Sequence, residues 1–191
     1  KLVVISENMK KLYSNNIKER NISIIHNGAS KKNFCIKPHN IISKFNSKNP
    51  FRVVHIGALY ENMHSNSIED ILNAISKLQQ KGIPIQFHGY GRTIPDNFIK
   101  LFINNKYIYH HGIVMPLDKR WEILESAHCL IIPSSFEKNL NKYYRFSFPT
   151  KLCEYLATGI PTFVYGPNNT AAINFLKFYF PPMGVTHFLM S

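Results

Sequence analysis

From Phe51 onward, short apolar runs of β type alternate with amphipathic helical segments, and that alternation leaves few folds open. The strand candidates are Arg52 to Ile56, Pro84 to His88, Tyr107 to His110, Cys129 to Pro133 and Thr162 to Tyr165. Between the first two, Ser67 to Lys81 sets Ile68, Ile71, Leu72, Ile75 and Leu78 at helical spacing. Leu117 to Ala127 does the same with Trp121, Ile123 and Leu124, Pro95 to Asn104 is a shorter helical candidate, and Asn169 to Lys177 follows the last strand. Strands joined through crossover helices run parallel. The expected architecture is α/β: a parallel sheet with helices on both faces.

The first residues behave differently. Leu2 to Ser6 reads as an apolar strand, Glu7 to Tyr13 as a short helix and Ile22 to Ile25 as a second strand, followed by the turn pair Asn27-Gly28. That unit is too small to stand alone, and Asn27 to Pro50 is polar and lysine-rich. At 191 residues, 45% of them hydrophobic, the chain suits a soluble globular domain with a real core. Cys35, Cys129 and Cys153 are odd in number, far apart and without metal-ligand spacing, which points to reduced thiols in a cytosolic setting. The most apolar C-terminal stretch, Ile173 to Met190, is interrupted by Lys177, Pro181, Pro182 and His187, which argues against a membrane span. A net charge of +12 favours anionic partners without choosing among nucleotides, nucleic acid and a membrane face, and it also fits a diffuse solvated surface.

The richest stretch for chemistry is Ser147 to Pro161, which reads as a loop delivering a small amphipathic helix into a site. Pro149 suits a first helical position, Gly159 and Pro161 supply the stop, and Leu152, Tyr155 and Leu156 form the buried stripe. Thr150, Lys151 and Glu154 gather a hydroxyl, an ammonium and a carboxylate around the helix start, where free N–H groups favour anions. Such a set suits a sugar nucleotide, with phosphates on the N-terminus and ribose on the carboxylate. An exposed Lys151–Glu154 ion pair is the plainer alternative.

In a doubly wound sheet, ligands bind beyond the carboxyl ends of the strands. After the first strand, Gly57-Ala58-Leu59 allows close backbone approach to a phosphate, or is simply a tight turn. After the second, Gly89-Tyr90-Gly91-Arg92 lacks the third glycine of the G-x-G-x-x-G pattern, since position 94 is Ile94, so NAD binding is disfavoured. Ser134 and Ser135 end the fourth strand and offer hydroxyls or a plain turn, and Phe136 to Phe146 reads as a polar and aromatic insertion.

Four landmarks in order carry a resemblance: Ile25-His26-Asn27-Gly28, Val53-Val54-His55-Ile56-Gly57, Phe87-His88-Gly89-Tyr90-Gly91, and the Ser147 to Pro161 helix. Together, over about Val3 to Gly166, the chain resembles the nucleotide-sugar-binding half of glycosyltransferase family 4, whose enzymes have the two-domain GT-B fold. The resemblance implies a Rossmann-like donor domain over residues 51–191, a linker over 27–50, and a remnant of the N-terminal acceptor domain over 1–26, with both ends of the family's chain missing. It implies transfer of a glycosyl unit from a nucleoside diphosphate sugar, with retention, in cell-surface polysaccharide or glycolipid synthesis.

The carried-over donor-binding residues are Gly57, Ala58, Gly89, Tyr90, Arg92, Ile113, Val114, Ser147, Phe148, Thr150, Lys151 and Glu154. Lys151 would neutralise the departing diphosphate as the catalytic cation, Tyr90 or Arg92 would stack on the base, Ile113 and Val114 would read its edge through backbone groups, and Glu154 would hold the ribose. The family's first-loop arginine and lysine are replaced by Tyr60-Glu61-Asn62, and Phe146 stands where the first of two glutamates is usual. No cofactor or metal is implied; with Asp70, Asp96 and Asp118 the only aspartates, no D-x-D exists. The implied partners are the nucleotide sugar, an acceptor sugar or glycolipid reached through the missing domain, and a peripheral contact with the inner membrane face from the cytoplasm, with no specific nucleic acid.

Two alternatives belong to other classes: a non-catalytic nucleotide-binding domain, and a single-strand nucleic-acid binder using Tyr143, Tyr144 and Arg145 as a stacking patch. A hydrolase is disfavoured, because neither G-x-S-x-G nor H-E-x-x-H occurs. For Lys151→Ala, a phosphate role predicts lost affinity with folding stability hardly changed.

Overall fold

Five parallel strands carry the molecule in a computed structural model that describes residues 1–30, 46–59, 61–92, 94, 96–103, 105–115 and 119–180. A small first unit precedes the sheet: β1 (Leu2–Val4), α1 (Glu7–Ser14), a 3-10 turn at Glu19–Asn21 and β2 (Ile22–Ile24). The main body follows as β3 (Phe51–Ile56), α2 (Glu61–Gln80), β4 (Ile85–Tyr90), α3 (Asp96–Ile103), β5 (Ile108–His110), α4 (Lys119–Glu125), β6 (Cys129–Pro133), α5 (Lys138–Phe146), α6 (Thr150–Ala157), β7 (Thr162–Tyr165) and α7 (Ala171–Tyr179). The sheet order is β5-β4-β3-β6-β7, all parallel, so the order reverses between β3 and β6. That reversal is where a doubly wound sheet opens its crevice.

Alternation along β3 feeds two cores at once. Val53 points to one face with Ile68, Leu72, Phe87 and Phe98, while Val54 points to the other with Leu124, Leu130, Leu152 and Leu176. Strands covered on both faces read as nearly continuous apolar runs, which explains Val53, Val54 and Ile56 with the buried His55 between them. All five expected strands form, with β4 running on to include Gly89 and Tyr90 instead of stopping at His88. Gly89 and Tyr90 are thus strand residues, and the turn begins at Gly91.

Three expectations need correction. Helix α2 begins at Glu61, six residues before the expected Ser67, and Ser67 itself is fully buried with its Oγ donating to the Ser134 carbonyl at 2.5 Å. The supposed insertion after Phe136 is helix α5, with Tyr144 buried beneath it, so Tyr144 is not part of an exposed stacking patch. Pro149 is the N-cap of α6 (φ −66°, ψ 123°), one position before the helix proper. Tyr60, Pro95, Asn104, Leu117 and Asp118, together with Cys35 and the end of the C-terminal apolar stretch, lie outside the described residues.

The N-terminal unit is fastened to the main body beside α6. Ser6 Oγ donates to the Phe146 carbonyl at 3.0 Å, and Asn8 Nδ2 donates to the carbonyls of Arg145 and Asn169. The His26 ring sits among Phe148, Phe175 and Tyr179, with its Nε2 3.1 Å from Glu7 Oε1. Asn27 Nδ2 donates to the Phe148 carbonyl at 3.2 Å, and Cys153 Sγ donates to the Asn27 carbonyl. The Asn27 landmark therefore grips the loop that leads into α6. Cys129 and Cys153 are free thiols, and among the described residues no helix is long and apolar enough to cross a membrane.

Candidate functional site

The crevice opens because β3 and β6 part. Their recorded pairing covers Val53↔Cys129 and Val54↔Leu130. The next rung of a parallel ladder would join the Ile56 N–H to the Ile131 carbonyl. Instead, the Ile56 N–H donates to Tyr155 Oη of α6 at 2.9 Å, and the Ile131 carbonyl meets His55 Nδ1 at 3.0 Å. Two side chains thus satisfy the backbone groups that the split exposes. Tyr155 is fully buried, so Tyr155→Phe leaves the Ile56 N–H without a partner and is expected to cost about 1–3 kcal/mol of stability by urea unfolding. A loss within error would show that the phenol does not hold the split.

Helix α6 enters this opening with its N-terminus toward the sheet edge and carries no side-chain cap there, so its first N–H groups remain for an anion. Lys151, in its first turn, folds back across the end of β3. A Cβ built on Gly57 would lie 2.3 Å from Lys151 Nζ and 2.7 Å from its Cε, and Gly57 has φ +150°. Only a residue without a side chain lets the ammonium settle there. Gly91 plays a similar part in the adjoining loop: a Cβ there would lie 2.4 Å from the Gly57 carbonyl oxygen. The Gly57 N–H donates to Tyr90 O and the Gly91 N–H to Gly112 O, so the ends of β3, β4 and β5 are tied together.

Beside Lys151 lies a cleft of about 400 Å³ lined by Ala58, His64, Ser134, Tyr143, Phe148 and Thr150 among others. Burial, and then the nearby Arg120, push the Lys151 pKa down from 10.5 to about 8, against the opposing pull of Glu154. Glu154 does not pair with Lys151. Its Oε2 accepts from Arg120 Nη2, both side chains being roughly one-third exposed or less. Two cations against one carboxylate at an uncapped helix start make a site that favours anions.

The structure brings Gly57, Ala58, Ser147, Phe148, Thr150 and Lys151 together at this cleft. It places Glu154 one turn along α6, held by Arg120. Gly89, Tyr90, Arg92, Ile113 and Val114 lie at the ends of β4 and β5, at the same edge of the sheet but outside the cleft lining. The Tyr90 ring stacks on His111 at 4.5 Å, Arg92 is exposed, and Ile113 is 58% exposed. Ser135 takes the plain role of a turn, its Oγ accepting from the Glu137 N–H at 3.1 Å.

Three residues at the site are given no role by the sequence reading, although His55 stands within one of its landmarks. Arg120 sits in a helix whose only legible feature is its apolar face, His55 in a strand where a histidine reads as core, and His64 in the polar start of α2. Among the described residues no group of three or more acidic, histidine or cysteine side chains is arranged for a metal ion.

No family model and no curated protein sequence matches the chain. Solved structures do match. The chain is similar to WaaG, a glycosyltransferase involved in lipopolysaccharide biosynthesis, with a TM-score of 0.60 and 13% identity over 93% of this chain and 47% of that one. It is similar to a glycosyltransferase from Rickettsia africae, with a TM-score of 0.58 and 16% identity over 93% of this chain and 52% of that one. A third likeness is to S. aureus TarM in complex with UDP and α-GlcNAc-glycerol, with a TM-score of 0.54 and 18% identity over 87% of this chain and 31% of that one. The chain spans about a third to a half of the length of these structures. At such identities the likeness establishes the fold alone, a Rossmann-like α/β sheet of the kind these GT-B glycosyltransferases contain.

Proposed function

We propose that the chain is the donor-binding part of a retaining glycosyltransferase that takes a nucleoside diphosphate sugar. The observation that carries this reading is the Lys151 ammonium, seated over Gly57 beside the uncapped start of α6 at the point where the strand order reverses. A departing diphosphate builds up charge on its oxygens, and a fixed cation with oriented N–H dipoles stabilises that charge most where water is scarce. Lys151 is the catalytic cation of this scheme. Glu154, steadied by Arg120, accepts from the ribose hydroxyls, while the loops holding Tyr90, Arg92, Ile113 and Val114 meet the base. The Phe148 loop and Thr150 face the sugar and distal phosphate.

Retention of configuration and the family assignment rest on the motif resemblance. So do a role in cell-surface polysaccharide or glycolipid synthesis, an acceptor met by a further domain, and a cytoplasmic site at the inner membrane face. The fold likeness supports the nucleotide-sugar class as a whole, since TarM was solved with UDP.

The test is calorimetry of the chain with UDP, GDP and ADP against uridine, guanosine and adenosine. The best diphosphate is expected to bind at least tenfold more tightly than its nucleoside, because the cation and helix start act on phosphate. Equal affinities would remove the phosphate assignment.

A further inference from the structure

The donor scheme leaves the histidines of β4 and β5 without a task, although one of them is almost wholly buried. His88 of β4 is 7% exposed and engages both ring nitrogens: Nε2 lies 3.1 Å from Gln86 Oε1, and Nδ1 lies 2.9 Å from His111 Nε2. An amide oxygen can only accept, so His88 Nε2 carries the proton and Nδ1 carries a lone pair. The proton shared with His111 therefore sits on His111 Nε2, which donates. Burial, and then Arg52, hold both rings below the usual 6.5, and His111 adds to the effect on His88, which is brought down to about 4. His88 is thus neutral at pH 7, as an accepting Nδ1 requires.

His111 stands just beyond β5 and opens the stretch that carries Ile113 and Val114. Its N–H donates to the Gly89 carbonyl at 2.9 Å, and the carbonyl of the next residue, Gly112, accepts from the Gly91 N–H at 2.9 Å. Its ring stacks on Tyr90 at 4.5 Å. Stacking leaves a ring free to slide in its own plane, whereas a hydrogen bond fixes distance and direction. The His88 ring is a firm point for that bond, being stacked on Tyr109 at 4.9 Å and tied to Gln86 of its own strand.

We propose that His88 is the positioning residue for the stretch that meets the base: its Nδ1 accepts from His111 Nε2 and so fixes the chain from which Gly112, Ile113 and Val114 continue. The clasp stands on these hydrogen bonds, while its consequence for the base rests on the nucleotide-sugar reading of the site. Backbone groups that read a base edge bind it best when already in place, because ordering them on binding subtracts from affinity.

The experiment compares two substitutions in the whole chain. His88→Leu removes the acceptor and keeps most of the bulk, whereas His88→Asn puts an amide oxygen near the Nδ1 position. Amide hydrogen exchange at the His111 and Gly91 N–H groups, followed by NMR, is expected to be about tenfold faster in His88→Leu and within about twofold of native in His88→Asn. The tightest-binding of UDP, GDP and ADP is expected to lose about fivefold in affinity in His88→Leu, while inorganic pyrophosphate, which carries no base, stays within about twofold. Unchanged exchange in folded His88→Leu, or equal exchange in the two variants, would overturn the clasp. Equal affinity losses for the nucleotide and for pyrophosphate would overturn the positioning role and leave His88 as a core residue alone.

Should His88→Leu fail to fold, His111→Phe keeps a ring for Tyr90 and removes the donor. The same two amides are then expected to exchange about tenfold faster, and unmoved amides would overturn the proposal. Faster exchange with neither the nucleotides nor pyrophosphate bound would leave the clasp standing and remove the donor reading. Nucleotide binding tighter than that of pyrophosphate, with exchange and affinity both unmoved in His88→Leu, would do the reverse.

Discussion

Replacing Lys151 by methionine is expected to weaken nucleoside diphosphate binding tenfold to more than a hundredfold while making the fold more stable. The affinity loss follows from removing a charge-assisted contact in a partly desolvated site, on the order of 1.5–3 kcal/mol. The stability gain follows from the burial and the Arg120 charge that bring the Lys151 pKa down from 10.5 to about 8. The sign is fixed by the proton count. Below pH 8 the ammonium is present in both folded and unfolded chains, and the folded one bears the full cost of burying it. Between pH 8 and 10.5 the folded chain releases its proton first, so stability rises with pH and the cost disappears.

Methionine fills the same volume without the charge and is expected to gain about 1–3 kcal/mol at pH 7, with the gain vanishing near pH 10.5. This revises the expectation from sequence that the site could be emptied with stability hardly changed. Urea unfolding at pH 7 and 10 and calorimetry with UDP check both halves. A methionine variant that is no more stable, or one that binds UDP as before, would place the ammonium in solvent instead.

Gly57→Ala is expected to damage the same site from the other side, lowering diphosphate affinity about tenfold or more. The new Cβ would fall 2.3 Å from Lys151 Nζ, and the flexible end of the lysine would swing away from the start of α6. Moving that end is sterically cheap. The loss of stability comes instead from holding alanine at φ +150°, about 1–3 kcal/mol. Because both substitutions act through one ammonium, adding Gly57→Ala to Lys151→Met is expected to cost no further affinity. Additive affinity losses in the double variant would mean that Gly57 serves the ligand by some route other than Lys151.

Much of the frame was legible because it depends on local pattern. The five strands were readable from their apolar runs, and the helices α3, α4 and α7 from their spacing, to within a few residues at each end. The places where the pattern misleads share a cause. Helix α5 sets Leu140, Tyr143 and Tyr144 at helical spacing, but its run of asparagines and lysines reads as a polar insertion until it packs with α1 and α7. The first turns of α2, Glu61 to Asn66, are mostly polar as well and precede the apolar stripe. A reading that waits for a dominant apolar stripe passes over both, because polar residues outnumber the apolar ones in these turns.

The division is sharpest at the site. The sequence by itself determined that a parallel α/β sheet forms, that the Phe148 loop feeds a short helix, and that Thr150, Lys151 and Glu154 ride on that helix, because propensity, apolar period and turn residues act over neighbouring positions. Only the tertiary structure decided that β3 and β6 part after Val54, that Tyr155 and His55 take up the freed backbone groups, that Glu154 turns to Arg120, and that Lys151 rests on Gly57. Charge complementarity and burial are properties of distance in space. A lysine and a glutamate three positions apart are equally compatible with a surface pair and with two separate partners, until the fold sets an arginine beside one and a bare glycine beneath the other.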